Sequence, residues 1–427
     1  MRIDHLAIQN FRGFESFDLK LNPQFNLLVG NNGSGKTTIL DALYIAAGSW
    51  LLGIDGPKKA PSIDEDEVRL TAFEYENGRY SFEKQYPVRI QAAGSVMDEP
   101  IDWAREKVSD HSTTRYGTAK AILDIGRRTV SSMRSGESIV LPLISAYGIE
   151  RLTIEPDPPR NERAGAKLRN KERPSRLNGY RDIQFLINEE ALFDWIETET
   201  LAGLQNGADS AAFKVVRNAI ISCIEDATDL YYDVKRQNVV VVMNEHGAHP
   251  YELLSDGQRI MLTLVGDIAR KAITLNPQLG ARVLEQVPGI VTIDELDLHL
   301  DPKWQRRVIR DLRKTFPAIQ FTAATHSPQL IGEAEPWEII RLDDLQLSNP
   351  EQSFGMDSNW ILKHVMDAGD RDEGFKRKFE EADRLICDLK FEAARELLNE
   401  LRSSIHGDHP DLVRLSARID RLSGAVK

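Results

Sequence analysis

The nine-residue run Gly30–Thr38, with the sequence GNNGSGKTT, restricts the fold of this chain more than any other feature. It follows the apolar run Phe25–Val29 and opens a stretch with helical spacing, Thr37–Ala47. A strand, a loop of the pattern GxxxxGK[ST] and a helix together predict a phosphate-binding loop. Glycine permits close approaches that a β-carbon blocks, so backbone N–H groups and the helix N-terminus can surround a polyphosphate. We therefore expect the chain to bind ATP with Mg²⁺.

Two residues of this loop have specific expected roles. Lys36 would reach the β- and γ-phosphates, and the Thr37 hydroxyl would bind Mg²⁺. The other candidate nucleotide contacts in the loop are Asn32, Gly33, Ser34, Gly35 and Thr38. The pattern can occur by chance, but here the flanking strand and helix match the context that it requires.

An acidic pair, Asp294 and Glu295, follows the apolar run Ile290–Ile293, which is typical of a buried strand. A carboxylate at such a strand end can hold Mg²⁺ beside a phosphate loop, and we assign this role to Asp294. Glu295 is assigned as the general base that polarises the attacking water. The alternative is a solvated acidic strand end, which the need of a phosphate-loop protein for a metal carboxylate disfavours.

Two shorter segments complete the set of candidate site residues. Leu254–Arg259 precedes a helical run, and its Ser255, Gly257 and Gln258 are candidate nucleotide contacts. Ser255 is a good N-cap, and Gly257 permits close backbone approach to a phosphate. His326 directly follows a predicted strand and can donate a hydrogen bond to a γ-phosphate. Taken alone, Leu254–Arg259 would be interpreted as a helix cap and His326 as a turn residue. Because the other two motifs are present, we interpret both as nucleotide-binding elements.

Composition restricts the class of protein. A length of 427 residues predicts two or three domains. Cys223 and Cys387 have no metal-binding spacing, which indicates a reducing compartment without disulfides. No apolar run approaches ~18 residues and the N-terminus lacks a signal-peptide profile, so we expect a cytoplasmic protein with no membrane association. The net charge of −12 argues against broad attraction to nucleic acid.

The segment Arg160–Arg181 is an exception to this acidic balance. It contains eight basic residues and only two glutamates, Glu162 and Glu172. Proline and glycine interrupt it, so we expect no regular helix. The basic residues are Arg160, Arg163, Lys167, Arg169, Lys171, Arg173, Arg176 and Arg181. One interpretation is contact with a nucleic-acid backbone. The alternatives are a solvated loop or a contact with an acidic partner surface.

The order of strand and helix patterns predicts an α/β protein in four parts. Residues 1–52 would form an N-terminal ATPase lobe with the phosphate loop, and residues 53–228 an insertion or lid region. Within the insertion, Ile139–Tyr147 is expected to be a strand that rejoins the core sheet. Residues 229–345 would form a C-terminal ATPase lobe. Residues 346–427 would form a linker and a helical docking region.

Taken in order, GNNGSGKTT, LSDGQR, IDELDLHLD and THS resemble the Walker A, signature, Walker B and histidine-switch motifs of an ABC-type ATPase head. More narrowly they resemble the branch of RecF, structural-maintenance-of-chromosomes (SMC) proteins and OLD nucleases, where an FRGF turn precedes the phosphate loop. The resemblance implies head-to-tail dimers in which Ser255 and Gly257 contact the γ-phosphate held by the opposite subunit. It makes Arg12, in the FRGF turn, a candidate nucleotide contact. The metal-coupling glutamine of such heads would be Gln91, which closes the strand-like run Val88–Gln91.

Further segments, SAYGIERL, SRLNGY, LSDGQR and HLDPKWQ with the helical tail, resemble a compact family of bacterial ATPases. Its best-known members are the PtuA ATPases of the Septu anti-phage system, some of them associated with retrons. In that family the ATPase assembles with a small HNH nuclease, PtuB, and ATP restrains the nuclease. The resemblance implies a P-loop NTPase head with an inserted α+β and helical region and a small C-terminal helical appendage. It also implies a homodimer or higher oligomer, with a nuclease subunit bound at the C-terminal helices.

Departures from the wider branch exclude several of its activities. The sequence has no long heptad arm and no Cys-x-x-Cys for a zinc hook, and the region after Asp343 is too short for a Toprim nuclease domain. No cluster of acids or histidines suggests a nuclease site in this chain. Two alternatives stay open: a RecF-like repair ATPase that binds DNA through Arg160–Arg181, and an ATP-bound oligomeric scaffold with little turnover. Glu295 and His326 argue against the scaffold.

Overall fold

The computed structural model describes residues 1–55, 60–75, 78–115, 119–149, 175–181, 189–343, 345–368, 373–405 and 409–425. The chain divides into two compact units, Met1–Asp357 and Ser358–Lys427. The four-part division predicted from the sequence is finer than these two units and stays a prediction.

The first unit contains both strands and helices, and every strand or helix described in the second unit is a helix. The strands are β1 (Arg2–Phe11), β2 (Phe14–Lys20), β3 (Phe25–Gly30), β4 (Leu70–Glu74), β5 (Tyr80–Lys84), β6 (Val88–Val96), β7 (Glu99–Lys107), β8 (Leu143–Tyr147), β9 (Ala227–Asp233), β10 (Asn238–Met243), β11 (Gly247–Pro250), β12 (Gly289–Ile293), β13 (Ile319–Thr325), β14 (Ile339–Asp343) and β15 (Gln346–Ser348). The helices are α1 (Lys36–Ala47), α2 (Lys120–Arg134), α3 (Glu189–Asn206), α4 (Ala211–Cys223), α5 (Asp256–Leu275), α6 (Val283–Gln286), α7 (Pro302–Thr315), α8 (Pro328–Ile331), α9 (Ser358–His364), α10 (Glu373–Cys387), α11 (Phe391–Ile405) and α12 (Pro410–Ala425). None of the helices in the described part of the chain is both long and apolar enough to cross a lipid bilayer.

The central sheet has six strands in the order β15-β14-β3-β13-β12-β8. All are parallel except β15, which pairs antiparallel with β14 at the edge. Every residue of β8, β12 and β13 is buried, as is typical of a parallel sheet covered on both faces. The α/β class is confirmed, and so is the return of a strand near Ile139–Tyr147 to this sheet, although the strand begins at Leu143. The carboxyl ends of the parallel strands meet at one edge, where such sheets bind their ligands.

A second, antiparallel sheet covers the other side of α1. Its order is β2-β1-β6-β7, and α1 contacts strands of both sheets with ten of its twelve residues buried. The buried side chain of Gln320 joins the sheets, because it bonds to both the N–H (2.9 Å) and the C=O (2.7 Å) of Ile3. At the far end of α1, the indole N–H of Trp103 donates to the carbonyl of Ala46 at 2.9 Å. The helix that follows the phosphate loop is therefore the central helix of the first unit.

The predicted strand end at Gln91 is wrong. The strand continues as β6 to Val96, and Gln91 lies in its middle, opposite Ala7 of β1 and Ala104 of β7. The residues after Gln91 continue the strand, and Gly94 serves close packing, since a β-carbon on it would lie 2.1 Å from the carbonyl oxygen of Arg2. Gln91 thus belongs to the antiparallel sheet and not to the carboxyl edge of the central sheet, and the geometry gives its metal role no support.

The described part of the second unit is helical, as the apolar spacing of the tail predicts. Three of these helices pack around a hydrophobic core of their own. Helices α10, α11 and α12 each contribute apolar side chains to it. The buried members are Ala382, Ile386, Ala394, Leu398, Leu401, Leu412, Leu415 and Ile419. The spacing of three and four residues between them follows the period of an amphipathic helix.

Shortening Leu401 to alanine should destabilise this helical unit. Leu401 is fully buried, so Leu401→Ala leaves a cavity and should cost roughly 2–5 kcal/mol. Thermal unfolding followed by circular dichroism should show an earlier transition, while ATP binding at low temperature stays unchanged because the phosphate loop lies in the first unit. The matched control is Val413→Ala, whose side chain is 52% exposed and should change stability by about 0.5 kcal/mol or less. An equal loss of thermal stability in both variants would contradict the placement of Leu401 in this hydrophobic core.

Candidate nucleotide-binding site

The phosphate loop connects the carboxyl end of β3 to α1. Gly35, the N-cap of α1, has a φ of 98°, and a β-carbon there would lie 2.5 Å from Cζ of Phe14. Gly33 is also left-handed, with a φ of 80°. These torsions favour glycine and allow the backbone N–H groups to converge on one concavity, as an anion-binding loop requires. The loop has the backbone form that its motif predicts.

Two polar groups in this concavity fit a polyphosphate. Lys36 lies across the loop, where its Nζ donates to the carbonyl oxygens of Gly30 (2.9 Å) and Asn31 (3.0 Å). Burial lowers the pKa of Lys36, and nearby carboxylates oppose this shift. The Oγ of Ser34 is buried and has no hydrogen-bond partner among the residues that the structure describes. Phosphate oxygens would accept hydrogen bonds from both side chains, and those from Lys36 would be charge-assisted.

Thr37 and Asp294 are already in contact. Thr37 Oγ1 donates to Asp294 Oδ2 at 2.8 Å, and the other carboxylate oxygen accepts the N–H of Glu295 at 3.1 Å. Hydroxyl and carboxylate oxygens are ligands that Mg²⁺ prefers, and Mg²⁺ usually completes its shell with water and substrate phosphate. The pair therefore fits Mg²⁺. Among the described residues, those of this site included, no group of three or more histidine, cysteine, aspartate or glutamate side chains is arranged to hold a metal.

Glu295 and His326 face each other on neighbouring loops. Their Oε1 and Nε2 atoms are 3.5 Å apart. Glu295 has a φ of 48°, a torsion that few non-glycine residues adopt and that often marks functional sites. Burial raises the pKa of Glu295; His326 opposes the rise and Asp297 adds to it. A raised pKa makes the carboxylate a stronger base toward water.

Asp297 is a site residue that the sequence analysis missed. Its Oδ1 accepts hydrogen bonds from Thr325 Oγ1 at 2.5 Å and from the N–H of His326 at 3.4 Å. It therefore fixes the end of β13 and the backbone that carries His326. A third carboxylate close behind the acidic pair was the available signal, but its partners lie 28 and 29 residues away along the chain.

Arg12 lies in the turn between β1 and β2, with a φ of 49°. Its guanidinium pairs with Asp41 at 2.5 Å and with Glu67 at 2.9 Å. Asp41 is one turn after Thr37 on α1, so Arg12 lies beside the phosphate-loop helix. Its contact with a nucleotide stays a prediction.

Asp41 should make stability depend on pH. Burial raises the pKa of Asp41 from 3.8 to about 6; Arg12 opposes the rise and Glu67 adds to it. The folded state then binds this proton more tightly than the unfolded state, so stability falls as pH rises from about 4 to about 6. Asp41→Asn removes this loss, and the stability of the variant relative to wild type should increase by roughly 2–3 kcal/mol between pH ~4 and pH ~7. Chemical denaturation at both pH values measures the change, and a constant difference would contradict it.

The signature segment Leu254–Arg259 begins α5. Ser255 is the N-cap, and its Oγ accepts the N–H of Gln258 at 3.3 Å while Gln258 Oε1 accepts the N–H of Ser255 at 2.9 Å. Gly257 lies against the carbonyl of His299, where a β-carbon would be 3.4 Å away. Ser255 is exposed, and in the described part of the chain neither it nor Gln258 bonds to the chain's own phosphate loop.

Most of the basic segment Arg160–Arg181, through residue 174, lies outside the described residues. Arg176 is described, and it donates to the carbonyl oxygens of Leu275 (2.7 Å) and Ile139 (2.6 Å) and to Asn276 Oδ1 (3.3 Å). Leu275 is the last residue of α5, so Arg176 satisfies a helix C-terminus. This arginine is structural, and the nucleic-acid interpretation rests on the rest of the segment.

Comparisons with known proteins agree with this geometry. Residues 5–215 match a family model described as an AAA domain, and residues 124–332 match a second, described as an AAA domain, putative AbiEii toxin, Type IV TA system. The retron Ec83 probable ATPase of Escherichia coli is 24% identical over 99% of this chain and 87% of that protein. The Septu protein PtuA of Bacillus mycoides is 25% identical over 76% of this chain and 38% of that protein. The chain is therefore similar to ATPases of retrons and of the Septu PtuA kind, and this likeness fits an ABC-type ATPase.

Among solved structures, the SMC head bound to the C-winged helix domain of ScpA aligns to this chain with a TM-score of 0.47. The two are 16% identical over 83% of this chain and 98% of that one. This likeness is too weak to add to the assignment. In this chain, the loops after three adjacent strands, β3, β13 and β12, bring most of the motif residues to one edge of the sheet. These residues are Lys36, Thr37, Asp294, Glu295 and His326.

Proposed function

We propose that this chain is the ATP-hydrolysing regulatory subunit of an anti-phage defence complex and controls a separate HNH-type nuclease in response to ATP. The Thr37–Asp294 and Glu295–His326 contacts beside the phosphate loop carry the ATP-hydrolysis part of this proposal. Likeness to a retron ATPase and to a Septu PtuA supports the defence part.

Each site residue has a part in the proposed reaction. Lys36 and the loop N–H groups hold the β- and γ-phosphates. Thr37 and Asp294 hold Mg²⁺, which neutralises phosphate charge when it is bound. Glu295 accepts a proton from the water that attacks the γ-phosphate, and its raised pKa favours this transfer. His326 Nε2 lies 3.5 Å from Glu295 Oε1, and we expect this imidazole to donate a hydrogen bond to the same phosphate.

We infer that the site is completed by a second copy of the chain. Ser255 is exposed at the start of α5, where the helix N-terminus presents N–H groups and partial positive charge. In a head-to-tail dimer, the signature of one chain would face the nucleotide on the other. A higher oligomer would add contacts to this dimer.

The helical unit Ser358–Lys427 is the proposed docking site for the nuclease. It has its own core, and none of the candidate nucleotide-site residues lies in it. The RecF-like alternative has less support, because Arg176 is bound within the fold. The scaffold alternative has less support, because a protein that does not hydrolyse ATP would not need Glu295 and His326 to face each other.

Co-purification of the tagged chain with a PtuB-like HNH nuclease, followed by DNA cleavage with and without ATP, tests this proposal. The full chain should retain the nuclease, and ATP should reduce cleavage. Lys36→Ala should retain the nuclease but lose the response to ATP. A chain that ends at Asp357 should bind ATP, which verifies its fold, but lose the nuclease. Retention of the nuclease by the shortened chain would contradict the docking site, and cleavage that ignores ATP would contradict the regulatory role.

A further inference from the structure

Tyr147, the last residue of β8, contacts the metal-binding end of β12 through its backbone. β8 and β12 are parallel neighbours, with Tyr147 opposite Ile293. The carbonyl oxygen of Tyr147 accepts the N–H of Asp294 at 2.7 Å. The position of Tyr147 therefore determines where the backbone of Asp294 lies.

A second element, α5, holds the side chain of Tyr147. The phenol donates to Asp267 Oδ2 at 2.8 Å. Asp267 is buried and also pairs with Lys271 Nζ (2.6 Å) and Arg270 Nη2 (2.6 Å). Lys271 Nζ donates in turn to Ser145 Oγ at 2.8 Å and lies 5.3 Å from the centre of the Tyr147 ring. Because Ser145 and Tyr147 share one face of β8, this network fixes that face to α5.

Burial and charge shift the pKa values of two groups in this network, Tyr147 and Asp267. Burial and Asp267 raise the pKa of Tyr147 well above its ordinary value, so the phenol remains a donor. Burial acts to raise the pKa of Asp267, but Lys271 and Arg270 outweigh it and the pKa is lowered. A buried ion pair adds little net stability compared with apolar packing, whereas a buried charge without its partner is costly. The network therefore fixes the position of Tyr147 relative to α5 more than it raises the free energy of unfolding.

We propose that Tyr147 is a positioning residue for Mg²⁺ binding: clamped by Asp267, it fixes the Asp294 carboxylate beside Thr37. Mg²⁺ requires near-ideal octahedral geometry at about 2.0–2.1 Å, so a displaced ligand weakens its binding strongly. Because α5 begins at the signature segment, the network also joins the helix of the signature to the metal-binding strand end. The inference rests on the magnesium role of Asp294 in the proposed function.

The test compares Tyr147→Phe with a matched control, Tyr180→Phe. Tyr180 is equally buried, and its hydroxyl also makes two hydrogen bonds, with Trp50 Nε1 (2.8 Å) and the carbonyl of Pro142 (2.9 Å). Equilibrium binding of a fluorescent, non-hydrolysable ATP analogue is measured in EDTA and then across a Mg²⁺ titration. In EDTA, both variants should bind the analogue within about twofold of wild type. The Mg²⁺ concentration at half-maximal enhancement should rise about fivefold or more in Tyr147→Phe and less than about twofold in Tyr180→Phe.

The outcomes separate this inference from the proposed function. Wild-type binding that does not respond to Mg²⁺ would overturn the magnesium role of Asp294. A normal wild-type response with equal Mg²⁺ dependence in both tyrosine variants would overturn only the role of Tyr147. If Tyr147→Phe folds poorly by circular dichroism, the double variant Asp267→Leu/Lys271→Met replaces it, because leucine offers the phenol no acceptor. That variant removes the anchor without changing net charge, and a wild-type Mg²⁺ dependence there would likewise overturn the inference.

Discussion

Replacing Lys36 with alanine should abolish ATP binding and leave the fold intact. The ammonium group lies in the loop concavity, and the only hydrogen bonds that Nζ makes with described residues are to two backbone carbonyls of the loop. A bound triphosphate would exchange those neutral acceptors for charged ones, which bond about twice as strongly. Without the cation, the affinity should fall by roughly 10²-fold or more. Alanine has the highest helix propensity, so the substitution should not destabilise the first turn of α1.

Calorimetric titration with ATP and Mg²⁺ measures this loss. Lys20→Ala is the matched control, because Lys20 is an exposed lysine at the end of β2. It should bind ATP like wild type, and both variants should keep their thermal stability. Unchanged ATP affinity in Lys36→Ala would mean that the nucleotide binds somewhere other than this loop.

Glu295→Gln should preserve ATP binding and slow hydrolysis by roughly 10²–10⁴-fold. Glutamine keeps the size of the side chain but cannot accept a proton from water. ATP should then persist at the site, and the proposed head-to-tail dimer should accumulate with it. Phosphate release under single-turnover conditions measures the chemical step without product release.

Asp294→Asn is the informative comparison for this variant. Its amide oxygen is a poorer Mg²⁺ ligand than a carboxylate, so Asp294→Asn should weaken the Mg²⁺ dependence of ATP binding, which Glu295→Gln should leave unchanged. Hydrolysis at the wild-type rate in Glu295→Gln would assign the general base to another group. Loss of Mg²⁺-dependent binding in both variants would mean that the two carboxylates share one role.

The strand, loop and helix around Lys36 could be predicted because the motif is local, and its spacing alone specifies the turn. Asp294 and His326 could be placed near it because parallel strands bring their carboxyl ends to one edge. Their mutual distances follow from the sheet order, in which β13 lies between β3 and β12. The helical tail was equally accessible, since its apolar residues repeat with the period of a helix.

Contacts between segments far apart in the chain could not be predicted from one sequence. The pairing of Arg12 with Glu67, the contact of Asp297 with Thr325 and the bond from Tyr147 to Asp267 each depend on how separate elements pack. The error at Gln91 has a related cause. The strand-like run of the sequence is predicted to end at Gln91, but the residues after it continue β6 between two neighbouring strands.

The mass of the chain in solution, measured with and without ATP and Mg²⁺, tests most directly whether two copies complete the nucleotide site. Glu295→Gln should double its mass when ATP is added, and Lys36→Ala should not respond. Glu295→Gln/Ser255→Arg, with a bulky cation at the exposed signature end, should bind ATP through its intact loop and yet keep its ATP-free mass. An ATP-independent mass in Glu295→Gln, or ATP-driven doubling in the Ser255→Arg variant, would contradict a site shared between two heads.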